Sequence, residues 1–344
     1  MPHPIVSILM PTYNEGATIE DVVRSLLQQN LTGYGLEILI IDGMSTDDTR
    51  EIITTRFAND KRVRLVDNPQ RFTPHAANIG LFEANGDYIC FFGAHGYYDP
   101  EYIQICLEEM ESTGAVGVSG RLETVPANDS LQAQLVAWAI SHPFGASGAS
   151  VRTQPEGFAD TIPYPVFRKQ ALLEIGGYNE TLVRNQDNDM NQRLIAAGHK
   201  LYLTHRTTAR YFSKPTIWGL LRYAHKSGWW NAISLKVNWR SMRLRHHVPT
   251  LFVLSVLAWL PVLKLGKLLH WKLAIVKGRI LGLALPAHLL AGATFAWNEY
   301  KKTGRLATLL LPPVWLAFHF AYGFGTLHGL CKARVPDPDA EGQR

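Results

Sequence analysis

The feature that most restricts the fold is a regular alternation, from Ile5 onward, of short apolar runs with stretches of helical period. Ile5 to Met10 reads as a buried strand, Leu36 to Ile41 as a second that ends in Asp42, Val63 to Val66 as a third, Tyr88 to Phe92 as a fourth and Ala115 to Ser119 as a fifth. Between them lie helical patterns: Thr18 to Gln29 with Thr18 as N-cap, about Asp47 to Ala58, one opened by Thr73-Pro74, and one from Asp99-Pro100 to about Ser112. This β-α-β-α rhythm predicts an α/β domain, a mostly parallel sheet flanked by helices on both faces. Such sheets bind ligands beyond the carboxyl ends of their strands, which puts Asp42 and the Gly93 to Gly96 turn on the functional edge. From His142 to Gly157 the chain is rich in Gly, Ser and Pro and reads as a mobile loop of the kind that covers a substrate. Beyond it come a strand near Val166, a helix over Lys169 to Ile175 stopped by Gly176-Gly177, a helix from about Asp189 to Ala197, and a strand at Leu201 to Thr204.

The last third of the 344 residues has a different character. Three runs contain no Asp, Glu, Lys or Arg: Val248 to Leu263, Ile280 to Asn298, and Leu306 to Cys331. Their lengths bracket the roughly 20 residues that cross a bilayer, with the last run the best span and the first marginal. Trp259, Trp271, Trp297, Trp315 and Tyr322 are placed to act as interfacial anchors. From Arg240 onward there are 14 Lys and Arg against 4 Asp and Glu, whereas the preceding part carries 20 against 25. A basic, apolar tail suits an anionic lipid surface, and the acidic front excludes a nucleic-acid binder. Three full crossings would leave Lys264, Lys267, Lys272, Lys277 and Arg279 outside, so the first segment is expected to lie in or dip into the interface. The expected organisation is therefore a catalytic domain over 1–235, a membrane-associated helical region over 236–335 with candidate segments 248–268, 280–298 and 306–331, and a polar tail over 336–344.

Three cysteines without C-x-x-C spacing indicate neither a disulfide framework nor a zinc knuckle, and the opening residues lack the basic flank of a signal peptide. There is no P-loop, H-E-x-x-H or G-x-S-x-G. What carries chemistry is an ordered set of turns. Pro11-Thr12-Tyr13-Asn14-Glu15 follows the first strand, Asp42-Gly43-Met44-Ser45-Thr46-Asp47-Asp48 the second, Gly93-Ala94-His95 the fourth, and Gln186-Asp187-Asn188-Asp189 opens a later helix. Asp47 and Asp48 are expected to cap the helix that follows them.

In the order and spacing of these four turns the chain resembles the inverting family 2 glycosyltransferases of GT-A fold, the nucleotide-diphospho-sugar transferase fold, and more narrowly their succinoglycan-type glucosyltransferase branch. The likeness spans residues 4 to 235 and includes Gly176-Gly177-Tyr178-Asn179-Glu180, Val183-Arg184-Asn185-Gln186-Asp187 and the segment Tyr223 to Trp230. The resemblance implies that Pro11, Tyr13 and Glu15 border a nucleotide pocket with Gly93 and Ala94, and that Asp42 accepts from uracil or ribose, as an acceptor-only group can. It implies Asp187 as the general base, with Gln186 in the position of the family's Glu, and Gly177, Tyr178, Gln186, Trp229 and Trp230 on the acceptor side. Asp189 is expected to stabilise the helix start or to read the acceptor. The family's metal motif is Asp-x-Asp or, in this branch, Asp-x-His; here the first carboxylate is replaced by Gly93, leaving His95 to hold Mg²⁺ or Mn²⁺.

The implied function is transfer of a hexose, glucose first among them, from a UDP-sugar to a polyprenyl-diphosphate-linked saccharide. It would take place at membrane lipid, on the cytoplasmic face of the inner membrane, in exopolysaccharide or surface glycan assembly. The alternative that Gly93 keeps open is a non-catalytic relative that binds nucleotide sugar or scaffolds other enzymes. A processive synthase is disfavoured, because the Gln-x-x-Arg-Trp signature is not intact around Trp229.

Overall fold

The structure is a computed structural model that describes residues 3–94 and 96–336; His95 and all but the first residue of the polar tail 336–344 lie outside the described residues. Packing divides the chain into two compact units, the first built on residues 1–123 and 154–211 and the second on 124–153 and 212–335.

The first unit runs β1 (Ile5–Thr12), α1 (Ile19–Leu27), β2 (Gly35–Asp42), α2 (Thr49–Arg56), β3 (Val63–Asp67), α3 (Thr73–Glu83), β4 (Tyr88–Phe91), β5 (Tyr97–Tyr98), α4 (Tyr102–Thr113) and β6 (Gly117–Val125). The chain leaves it through α5 (Leu131–Ser141) and α6 (Pro143–Ala146), which belong to the second unit. It returns as β7 (Gly157–Phe158), β8 (Val166–Arg168), α7 (Lys169–Glu174), α8 (Gln186–Ala196) and β9 (Leu201–Phe212).

The strands form one sheet in the order β3-β2-β1-β4-β8-β6-β9-β5, with β7 also on β9. β3, β2, β1 and β4 are mutually parallel, but β4–β8, β8–β6, β5–β9 and β7–β9 are antiparallel, so the sheet is mixed where the rhythm predicts a mostly parallel one. The parallel half is legible because its central strands are covered on both faces and read as continuous apolar runs. Ile8, Met10, Ile38, Ile40 and Cys90 pack against α1 and α4 through Val22, Leu26, Cys106 and Met110. Leu9, Leu39, Ile41 and Ile89 face the opposite way, onto Ala77 and Leu81 of α3, Leu172 of α7 and Leu194 of α8. Each fully buried aliphatic side chain contributes about 1.5–3 kcal/mol. The antiparallel half is less apolar: β9 continues past Thr204 to Phe212 through exposed His205, Arg206 and Arg210, which hides its length from a hydrophobic-run reading.

Two expected caps differ in detail. Thr18 precedes α1, but its hydroxyl donates back to the Glu15 carbonyl and carboxylate rather than receiving a helix N–H. Asp48 precedes α2 without a side-chain cap, while Asp47 accepts from the Thr49 N–H and hydroxyl and from the Gly16 N–H. Asp47 therefore ties two loops together, and its carboxyl is held below the ordinary carboxylate range by the Thr49 hydroxyl.

The second unit consists of α5, α6, α9 (Ile217–Val237), α10 (Leu244–Leu268), α11 (Lys272–Gly282), α12 (Ala284–Thr303) and α13 (Leu311–Lys332). The stretch expected to be a mobile loop begins with α6, whose Phe144 ring packs on His288, Phe295, Trp315 and His319. Three helical stretches are long and apolar enough to cross a membrane: Leu244–Leu268, Lys272–Thr303 and Leu306–Lys332. Glycine permits their tight packing. A Cβ at Gly228 of α9 would collide with the Tyr322 carbonyl of α13 and lie 2.7 Å from the Thr326 nitrogen, whereas one at Gly148 would meet nothing within 4 Å. Gly228→Leu should therefore destabilise the protein in detergent by at least about 1–3 kcal/mol, and Gly148→Leu should stay within about 0.5 kcal/mol of the parent, both read by thermal unfolding.

Candidate active site

The carboxyl ends of β1 and β2 sit side by side, with Pro11 paired to Ile41 and Thr12 to Asp42. Their loops are stitched together by polar contacts that the short side chains of Asn14, Ser45 and Thr49 make possible. The Asn14 N–H donates to the Ser45 hydroxyl and its side-chain oxygen accepts from the Thr46 N–H, each at 2.8 Å; the Glu15 N–H donates to the Thr49 hydroxyl at 2.8 Å. Asn14 and Met44 adopt positive φ to close these turns.

Asp42 lies beneath this surface, 0% exposed. One carboxylate oxygen accepts from the Ser45 N–H at 2.9 Å and from Arg50 at 2.7 Å, and the other from the Ser45 hydroxyl. The Arg50 guanidinium also reaches Asp67 at the end of β3, at 2.8 Å, so one cation fastens the ends of two strands. Tyr13 is different: its ring is 45% exposed, with the Arg71 guanidinium 5.8 Å from its centroid and buried Gly43 against its edge, where a Cβ would come within 3.3 Å of the ring. A flat ring edged by a cation is suited to a planar base and to phosphate. Arg50 and Arg71 were not singled out by the sequence. The only signal for them is position, since each follows a strand-end acidic turn.

At the end of β4, Gly93 faces open space and Ala94 is buried. The Gly93 N–H donates to the Tyr98 hydroxyl at 3.2 Å, and Tyr98 stacks on Phe92 at 3.9 Å between centroids. No three His, Cys, Asp or Glu side chains converge among the described residues in a way that could hold a metal. Gly93 and Ala94 supply no donor, so the described part of this turn does not fit a metal centre.

The residues of the first unit that are expected on the acceptor side are locked by a second network. Gly176 and Gly177 both have positive φ, 76° and 72°, which ends α7 and turns the chain back toward α3. Asn78 of α3 holds the turn from below: its side-chain oxygen accepts from the Tyr178 N–H at 2.7 Å, and its amide donates to the Tyr178 carbonyl at 2.9 Å and to Glu180 at 2.8 Å. Arg193 of α8 donates to the Ile175 and Gly177 carbonyls at 2.8 and 2.7 Å and is itself held by Asp189 at 2.8 Å. Asp189 is 1% exposed and serves this clamp. Tyr178 is thereby fixed with its ring 5.4 Å from that of Phe91, the last residue of β4. Burial, reinforced by the nearby Asp187 carboxylate, raises its phenol well above the ordinary value and keeps it protonated at neutral pH.

Asp187 lies in the first turn of α8 and, unlike Asp189, is exposed; one of its oxygens accepts from the Asn188 N–H at 2.9 Å. Gln186 beside it is half-buried. Trp229 and Trp230 lie on α9 in the second unit, where Trp229 packs its ring 4.8 Å from His328. The structure thus groups Tyr13 with the Asp42 loop and Tyr178 with Asp187 on the same strand-end edge of the first unit. Asn78 and Arg193, the residues that hold the second group, carry no motif and were missed.

Residues 7–175 match the family model described as glycosyl transferase family 2. The succinoglycan biosynthesis protein ExoA of Rhizobium meliloti is 32% identical over 223 residues, 63% of this chain and 67% of that protein. A Methanococcus voltae dolichyl N-acetyl-alpha-D-glucosaminyl phosphate 3-beta-D-2,3-diacetamido-2,3-dideoxy-beta-D-glucuronosyltransferase is 24% identical over 95% of this chain and 97% of its own length. Among solved structures, a mannosyltransferase from Pyrobaculum calidifontis in complex with GDP-Man and Mn²⁺ shares the fold with a TM-score of 0.54 and 15% identity, over 93% of this chain and 87% of that one. The chain belongs to glycosyl transferase family 2 and is a glycosyltransferase with a GT-A catalytic unit.

Proposed function

We propose that this enzyme transfers a hexose, with glucose the first candidate, from a UDP-sugar to a lipid-linked saccharide, inverting the anomeric centre, with Asp187 as the general base. The observation that carries the reading is the contrast between two carboxylates in one helical turn: Asp189 is buried and spent on Arg193, while Asp187 is exposed beside Tyr178 at the end of β4. An acceptor hydroxyl placed there loses its proton to Asp187 as its oxygen attacks the anomeric carbon, and the nucleoside diphosphate leaves from the opposite face. Positioned proton transfer of this kind is worth roughly 10²–10⁴-fold, and alignment of the two substrates adds to it.

On the donor side, Tyr13 and Arg71 offer a face for the base, with Pro11 and Glu15 at its border. Asp42 has one carboxylate oxygen bonded only by the Ser45 hydroxyl, and uracil or ribose reaches it when that hydroxyl turns away. Mg²⁺ or Mn²⁺, the latter named with the mannosyltransferase, would find a single donor in the Gly93 turn, His95, and one imidazole holds a hard ion weakly. No step above is routed through it. The lipid-linked acceptor is supported by the name of the Methanococcus voltae relative, and the role in exopolysaccharide or surface glycan assembly by that of the succinoglycan protein. Three helical stretches long enough to cross a membrane agree with an acceptor that never leaves lipid, and we place the enzyme at the inner membrane with its catalytic unit in the cytoplasm. In this reading Trp229 and Trp230 help to seat the acceptor.

Asp187→Asn should lower kcat by about 10²–10⁴-fold while leaving UDP affinity unchanged, measured by UDP release and by titration of UDP. A variant that keeps full turnover contradicts the assignment, and loss of UDP affinity contradicts the division of labour. Asn78→Ala removes three hydrogen bonds from the Tyr178 turn and should lower kcat/KM for the acceptor by about tenfold or more without weakening UDP binding. An unchanged acceptor KM and kcat would show that the turn does not position the acceptor.

A further inference from the structure

α13 carries the longest uncharged run in the chain, yet it is the least hydropathic of the three candidate spans, and its packing points to another position. It lies beside α9, in the same direction and in step. A Cβ on Gly325 would collide with the His225 carbonyl, and one on Gly329 would meet the Trp229 carbonyl and the Ala232 Cβ at 2.8 Å. Gly228 packs against Tyr322 and Thr326, and Lys236 donates to the Ala333 carbonyl at 2.7 Å. The offset between partners stays nearly constant, so the helices run parallel over about three turns. Two polar groups in the second half of α13 serve this contact: Asn231 donates to the Tyr322 hydroxyl at 2.6 Å, and His328 meets His225 at 3.4 Å. Accordingly 33% of the apolar window of α13 is buried within the unit, against 11% for each of the other two candidate spans.

α9 is no membrane span. It is 21 residues long but is not among the three stretches apolar enough to cross, and Arg222 and Lys226 are exposed near its middle. α13 cannot enter hydrocarbon along its length without taking those charges with it. α10 and α11–α12 are built differently. Gly266 packs on Ile275, Gly278 on Leu263, Gly282 on Trp259 and Phe252 on His288, an antiparallel hairpin along nearly its whole length. Its outer face is leucine-rich, with Leu251, Leu254, Leu257, Leu260, Ile280 and Leu290 exposed. α13 packs on α10 where Gly323 abuts Pro249 and Val253 and Phe320 abuts Phe252, and it meets α12 through His319, 2.9 Å from His288.

Resting on the membrane reading above, we infer that only the α10/α11–α12 hairpin crosses the bilayer, twice, and that α9 and α13 lie along the membrane surface on the side of the catalytic unit, against anionic lipid headgroups. This replaces the expectation that the first segment stays in the interface: the turn carries Lys264, Lys267, Lys272, Lys277 and Arg279 across, but Arg240, Arg243, Arg245, Lys301, Lys302 and Arg305 flank the hairpin on the near side, so the balance of basic residues still favours that side. Arg222 and Arg240, which sit over the exposed rings of Trp218 and Trp239 at 5.9 and 5.6 Å, supply the charge and the interfacial aromatics. An even number of crossings returns the chain to the side it left, so Cys331 at the end of α13 shares the compartment of the catalytic unit.

The native cysteines make this testable, because Cys90 and Cys106 are buried and Cys331 is exposed. Sealed vesicles with the catalytic unit outward, verified by labelling Ser112→Cys in a Cys331→Ser background, are treated with a membrane-impermeant maleimide. Cys331 of the parent should label without permeabilisation, and His270→Cys in the Cys331→Ser background, in the turn between α10 and α11, only after it. Cys331 labelling only after permeabilisation means that α13 crosses and overturns the inference. His270→Cys labelling in sealed vesicles means that the hairpin does not cross, which also overturns it. Extraction with alkaline carbonate separates failure of this topology from failure of the membrane reading: the protein stays in the pellet in the first case and is released in the second.

Discussion

The candidate site depends on one half-buried cation. Arg193 crosses from α8 to the carbonyls of Ile175 and Gly177 and is held in place by Asp189, and through it the start of α8 and the glycine turn become one rigid piece. Buried carbonyls must find donors, and the two glycines, in the left-handed region, cannot supply a helix to do it. Arg193 answers that need from one side and Asn78 from the other. The consequence is chemical. Tyr178 and Asp187 are carried by this piece, so the exposed carboxylate stands at a defined place beside the end of β4 instead of on a free loop.

The donor half obeys the same logic with different groups. Arg50 bridges Asp42 and Asp67, and Asn14, Ser45 and Thr49 lace the β1 and β2 loops together. Short polar side chains do this because they reach neighbouring backbone without filling the space a nucleotide needs. Gly93 continues the pattern at the end of β4: it leaves room rather than providing a ligand.

How much was legible follows from which physical signals are local. The parallel strands β1, β2 and β4 were readable because their central residues are buried on both faces, and the acidic turns because they follow those strands directly. The second half of β9 and α5 were not. The first alternates polar and apolar residues with no run, and the second, Leu131–Ser141, sits in a stretch with weak periodicity whose partner, α13, is distant in sequence. Asn78 and Arg193 share that difficulty, since an Asn or Arg inside a helix looks solvated until its tertiary partner is known. The same limit applies to the hydrophobic tail. The length of its uncharged run ranks α13 first as a span, whereas its lower mean hydropathy and its glycine-notched contact with the charged helix α9 argue otherwise.

The proposed direct displacement at the anomeric carbon, by an alcohol that Asp187 deprotonates, would leave a stereochemical record. The anomeric configuration of the product formed from an α-linked UDP-sugar, read from the proton coupling constant by NMR, is therefore the most direct measurement. A β-linked product is the result this account predicts, and an α-linked product would contradict it.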